Sequence, residues 1–219
     1  MLFDLSFLDI GKPWPPPSEK DRLQRYAENK LLFKGKHSEV YKDWVRLLRD
    51  DKKATMEIIL NWHKRLSLLW ADLLLSEPPK ITTGSSKKDQ EEIDRIIDDN
   101  NLLNVLYETV IDISRYGDGI LSVYSDGLRG FIGSSQPGIW FPVVDRNNIK
   151  NTLYHVMAWT YEEVSGNNKR VFLNVQIHEK GKITKRLYSL TNSGEYKIQG
   201  LVKPEETIST GVEDFLIIP

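Results

Sequence analysis

Hydrophobic and polar positions alternate with two different periods along this chain, and the change of period divides it. Before residue 117 apolar residues recur every three or four positions, the spacing of one helix face. Ser18, followed by Glu19 and Asp21, supplies an N-cap and first-turn acids for a helix of about four turns ending near Phe33, with Gly35 as its stop. A second helix is predicted from Ser38 to Leu48, with Val40, Trp44 and Leu47 or Leu48 on one face. Met56, Ile59, Leu60, His63, Leu66, Trp70, Leu73 and Leu74 line one face of a third, which Pro78 and Pro79 end. The helical pattern resumes at Lys87 and runs to Tyr116 with a break near Asn100 and Asn101. Its apolar positions are Ile93, Ile96, Ile97, Leu103, Leu106, Val110 and Ile113, and Gly117 is placed as its C-cap.

From Ile120 onward the period is two. Val171, Leu173, Val175 and Ile177 alternate with Asn174, Gln176 and His178, which predicts a half-buried strand, while Leu153 to Tyr161 is apolar on both faces and is expected more centrally in a sheet. Turn signals at Gly166-Asn167-Asn168, Lys180-Gly181-Lys182 and Asn192-Ser193-Gly194 separate these runs, as in an antiparallel meander. Helices followed by strands make an α+β fold. The expected organisation is an extended arm over 1–17, stiffened by Pro15, Pro16 and Pro17, a helical region over 18–117 and an antiparallel β region over 118–219.

Composition narrows the function classes. The 219 residues carry a formal net charge of −1, so no basic nucleic-acid module is present. The charge is nevertheless zoned: Lys20 to Lys53 holds 11 basic and 6 acidic residues, and Asp89 to Asp118 holds 9 acidic and 2 basic. No uncharged apolar run approaches the roughly 20 residues that span a bilayer, so no membrane partner is expected. With no cysteine, disulfides, thiolate metal sites and cysteine nucleophiles are excluded.

The search for chemistry finds no complete site, and no cofactor or metal is expected. Gly117-Asp118-Gly119 opens like a dinucleotide fingerprint, but Ser122 stands at the third glycine position and the order is helix to strand. Gly181-Lys182 is followed by Ile183, which rules out a phosphate loop. His37, His63, His155 and His178 have no pair at helical ligand spacing, and His63 is read as a hydrogen-bonded core side chain. The best enzymatic candidate is a metal-dependent nuclease in which Asp145 and Glu179 hold a cation near Lys180. Glu179 and Lys180 are adjacent, however, and point to opposite faces of a strand, so a solvated hairpin turn fits them better. The cluster Asp89, Glu91, Glu92, Asp94, Asp98 and Asp99 is a solvated helix face, a cation site or a docking surface. Trp44, Trp70 and Trp159 have core positions, whereas Trp62 falls beside the main apolar face and Trp14 lies among prolines outside any core. Candidate subunit or partner contacts are therefore Trp14 and Trp62, the basic Lys30, Lys34 and Lys36, and the acidic Asp94, Asp98 and Asp99.

Several strings read in order resemble the N-terminal half of tailed-bacteriophage portal proteins of siphophages and prophages of Gram-positive bacteria. They are Lys12-Pro13-Trp14-Pro15-Pro16, Asn29 through His37, Ala71 through Pro79, Ser114 through Gly119, Trp140 through Asp145 and Gln176 through Gly181. The resemblance implies the wing region of a ring subunit, typically one of a dodecamer, at one vertex of the virion capsid and assembled in the host cytoplasm. It also implies contacts with major capsid and scaffolding protein, terminase and a head-completion adaptor, and double-stranded DNA passing through the ring without sequence specificity. Members of that family are commonly about twice as long, so the chain is expected to be a part of such a protein. A catalytic site is not among the properties the resemblance implies.

Overall fold

The computed structural model describes residues 1–43, 60–84, 86–127, 129–166, 168–191 and 194–219. In chain order its elements are β1 (Pro13–Trp14), α1 (Lys20–Phe33), α2 (His37–Val40), α3 (Trp62–Leu75), α4 (Lys87–Asp99), α5 (Leu102–Tyr116), β2 (Ile120–Ser125), β3 (Gly130–Ser135), β4 (Trp140–Val144), β5 (Thr152–Ser165), β6 (Asn168–Glu179), β7 (Lys182–Leu190), β8 (Tyr196–Leu201) and β9 (Glu206–Ser209). The fold is α+β, with the switch of period at Gly117 marking the change from helices to strands. Two compact units divide it: 1–22 with 138–218, and 23–137.

The first unit is a twisted antiparallel sheet in the order β1-β8-β7-β6-β5-β4, with β9 also pairing β7. Strands β4 to β8 form the meander that the turn signals predict. β5 and β6 pair in unbroken register from His155 opposite His178 to Ser165 opposite Asn168. Phe141, Val143, Val156, Leu173, Val175, Ile177 and Ile198 lose essentially all solvent contact and form the core. The N-terminal residues belong to this core. Leu2 bridges Val143, Phe7 and Leu8 are buried on a 3-10 turn, and β1 pairs β8 through Pro13 with Lys197 and Trp14 with Tyr196. Trp14 is only 7% exposed, with its ring centroid 5.0 Å from that of Phe141 and 6.5 Å from that of Phe7. This corrects the reading of Trp14 as lying outside any core: the flanking prolines mark a strand whose partner is more than 180 residues away, a pairing no local pattern reveals.

The second unit is helical with one hairpin. The expected N-cap Ser18 lies within a 3-10 turn, Pro17–Glu19, that has no side-chain cap, and α1 then ends as predicted before Gly35, whose φ of 75° is cheap only for glycine. The expected positions Trp44, Leu47, Leu48, Met56 and Ile59 lie outside the described residues. Ser86 and Asp89 form a capping box at the start of α4. The predicted break falls between α4 and α5, where Asn101 takes a left-handed conformation at φ 47°. Asn100 uses that break twice: its Nδ2 donates to the Ile96 carbonyl at 2.8 Å, and its Oδ1 accepts from the Ile132 amide of β3 at 2.8 Å. Gly117 ends α5 in the left-handed region at φ 85°, its amide donating to the Ile113 carbonyl at 2.8 Å.

Candidate interaction surfaces

Helix α3 does not bury the face its periodicity outlines. Its buried positions are Ser67 and Ala71, those of α5 are Thr109 and Asp112, and the two helices pack on each other. Small side chains let the backbones approach, and the Tyr107 hydroxyl donates to Asp72 at 2.7 Å beside that contact. As a result Leu66, Trp70, Leu73 and Leu74, expected in the core, are 51 to 63% exposed, and Trp62 and Leu69 join them at the surface. Trp70 is corrected from core to surface. His63 is half-buried, and its Nδ1 has no hydrogen-bond partner among the described residues, which corrects its reading as a hydrogen-bonded core side chain.

Beside α3 the second unit holds a group of buried and half-buried polar residues that no sequence pattern reveals. Asp112 pairs with Arg115, one turn apart on α5. The Arg115 guanidinium lies 4.2 Å from the Tyr116 ring centroid and 4.8 Å from that of Phe33. Burial raises the Asp112 carboxyl above its ordinary value, opposed by the attraction of Arg115. Burial and the nearby Arg115 charge both lower His63. Tyr26 on α1 donates to Asp118 just past the end of α5. These contacts tie α1 to α5 by charge and ring packing.

The charged candidates sit on exposed helix faces. Lys30, Lys34 and Lys36 are exposed at the C-terminal end of α1 and just beyond it, and Lys36 pairs with Glu39 at 2.7 Å. Asp94, Asp98 and Asp99 are exposed on α4, where Arg95 bridges Glu92 at 2.8 Å and Asp99 at 3.2 Å. The helix is therefore laced by its own (i, i+3) and (i, i+4) pairs. A cleft of about 300 Å³ opens between the end of α4 and the β2–β3 hairpin, with Ile96, Val123 and Ile132 as its apolar lining and Arg95, Asp99 and Arg129 at its polar rim.

In the first unit the nuclease candidates have separate local duties. Asp145 Oδ1 accepts from the Asn147 amide at 2.8 Å, which closes a turn, and Glu179 pairs with Lys182 across the β6–β7 turn at 3.1 Å. Lys180 faces Asp214 at 3.9 Å and the Phe215 ring at 5.5 Å. Among the described residues no group of three or more histidine or carboxylate side chains could hold a metal, and no helix is long and apolar enough to cross a membrane.

Two features of this unit escape sequence reasoning. Glu19, 6% exposed, receives Arg22 at 2.7 Å and the N-terminal ammonium at 3.3 Å, while Arg22 also donates to the Trp140 carbonyl at 2.7 Å. His155 and His178 are cross-strand partners at 3 and 4% exposure. His178, expected on the outward face of β6, is thus buried. Trp140 Nε1 donates to His155 Nδ1 at 3.0 Å, and Phe215 stands edge-on to the His155 ring at 4.7 Å. Burial pushes both histidines down to about 4, the His155 charge adding to the effect on His178.

A family model described as Phage portal protein, SPP1 Gp6-like, matches residues 16–196. No curated protein matches the chain.

Proposed function

Because the chain belongs to the SPP1 Gp6-like phage portal protein family, a family of structural and not enzymatic proteins, we propose that it is a wing-region subunit of a portal ring at one capsid vertex. The family match over most of the chain carries this reading. The α+β architecture and the local duties of Asp145 and Glu179 support it. In this reading the ring is a dodecamer. DNA enters through it during packaging and leaves through it at ejection, and its outer surfaces dock terminase, a head-completion adaptor, and major capsid and scaffolding protein. No cofactor takes part. The subunit's work is mechanical: it holds a fixed surface in a closed ring, which suits a molecule in which Ser86, Asp89, Asp145 and Glu179 serve caps, turns and ion pairs.

Charge zoning suits a ring in which unlike faces meet. The lysines Lys30, Lys34 and Lys36 of one subunit would approach Asp94, Asp98 and Asp99 of the next, and such a head-to-tail contact closes when the rotation between copies divides a full turn. Exposed ion pairs contribute only about 0 to 1 kcal/mol each, so these residues set orientation and approach, not affinity.

Negative-stain imaging of the assembled protein tests the proposal. Closed rings of uniform diameter are expected. Incubation with Mg²⁺ and plasmid DNA should leave the DNA intact. Magnesium-dependent cleavage abolished by Asp145→Ala or Glu179→Ala would replace the portal reading with that of a nuclease.

A further inference from the structure

Helix α3 carries a surface that nothing among the described residues accounts for. At about 100° per residue, Trp62, Leu66, Leu69, Trp70, Leu73 and Leu74 fall within an arc of about 140° on one side of the helix. Each is between 50 and 63% exposed. Together they leave roughly 650 Å² of apolar side chain in water, more than the ~300 to 600 Å² of the largest patch on a typical monomer and near the ~800 Å² that each partner contributes to a stable interface. Two tryptophans within it are the residue type most enriched among interface hot spots.

We propose that this arc is a contact between copies of the chain and supplies the salt-insensitive part of subunit association. The inference rests on the portal reading for its choice of occupant, because a ring subunit must bury a patch of its surface against each neighbour. The size of the arc supports the same choice, since its area matches one side of a protein interface. Charge at the edge agrees: Arg65, whose guanidinium lies 5.7 Å from the Trp62 ring centroid, borders the arc, and the exposed carboxylates Asp94 and Asp98 on α4 offer its complement on another copy. Apolar burial holds the contact, and the charges fix its register.

The absence of cysteine permits a direct test, since Leu73→Cys places a single environment-sensitive fluorophore on the arc. Light scattering should show the mass of the chain rising above 25.4 kDa with concentration, at high salt as well as low, with a blue shift of the dye on association. The double variant Leu66→Glu, Leu69→Glu should weaken association by about a hundredfold or more. Both sites are half exposed, so its circular dichroism and melting temperature should match those of the parent. Association of the double variant at parental strength would overturn the inference and leave the portal reading standing. A chain that stays at 25.4 kDa at every concentration, with the dye in water, would overturn the choice of a second copy as occupant. An arc-dependent assembly that stops at two copies would uphold the contact and count against the ring.

Discussion

His155 and His178 are partners across two central strands, with no carboxylate among the causes that set their charge, so burial holds both neutral in the folded first unit. In the unfolded chain each takes up a proton near pH 6.5; in the fold each waits until about 4. Stability is therefore fully present above pH 6.5 and is lost as pH falls from there toward 4, at up to about 1.4 kcal/mol per pH unit for each histidine. Melting of the first unit should drop by several degrees between pH 7 and pH 5. His178→Phe should remove about half of that dependence, because an apolar ring of similar shape binds no proton. A flat profile between pH 7 and 5 would show that water reaches the pair. Trp14→Ala tests the same interior from its edge: it removes a ring stacked between Phe7 and Phe141 and should cost about 3 to 5 kcal/mol. Denaturant unfolding would measure it, and a loss under 1 kcal/mol would mean the N-terminal residues are not integral to the sheet. Neither residue was legible beforehand. Strand alternation assigned His178 to the outward face because it counts side chains on one strand, not the Trp140 and Phe215 rings brought to His155 from elsewhere in the unit.

Element boundaries were far more legible, because they depend on local chemistry. Gly35, Gly117, the Asn100-Asn101 break and the turn at Gly181 each act within a few residues, and each stands where the pattern put it. The orientation of an apolar face is different in kind. A 3.6-residue period shows that α3 has such a face and is silent on whether the core or a partner covers it, so the leucines were assigned to the interior while Ser67 and Ala71 took that place. Packing of α5 against the following strand offers a quantitative check. A Cβ added at Gly119 would lie 2.9 Å from Thr109 Cγ2 and closer still to Ile113 Cγ1, both on the preceding helix. Gly119→Ala should then destabilise the second unit by about 1 to 3 kcal/mol, whereas Gly130→Ala, which meets nothing within 4 Å, should change stability little. Equal effects of the two substitutions in denaturant titrations would mean that the α5–β2 junction relaxes freely.

At the scale of the whole molecule the deciding quantity is how charge is distributed. A net charge of −1, with basic and acidic residues zoned on separate helices, gives no extended positive surface to follow a duplex among the described residues. Lys36 is already paired with Glu39 and Lys20 with Glu195, so among the described residues of that zone Arg25, Lys30, Lys34 and Lys42 are the exposed cations outside those pairs, and the acids of α4 repel phosphate. Each phosphate neutralised releases counterions and steepens the fall of affinity with salt, so a surface with few available cations binds weakly and with a shallow dependence on salt. A conduit needs that behaviour, because DNA held tightly at one point would not slide. Gel-shift titration with a duplex of arbitrary sequence should therefore show no submicromolar retention at physiological salt. At low salt any binding should weaken with Lys30→Glu, Lys34→Glu and have a shallow salt slope, of about four released ions or fewer. Submicromolar retention at physiological salt would identify the end of α1 as a DNA-holding surface, and sliding through the ring would then require those lysines to be covered by the neighbouring subunit's α4.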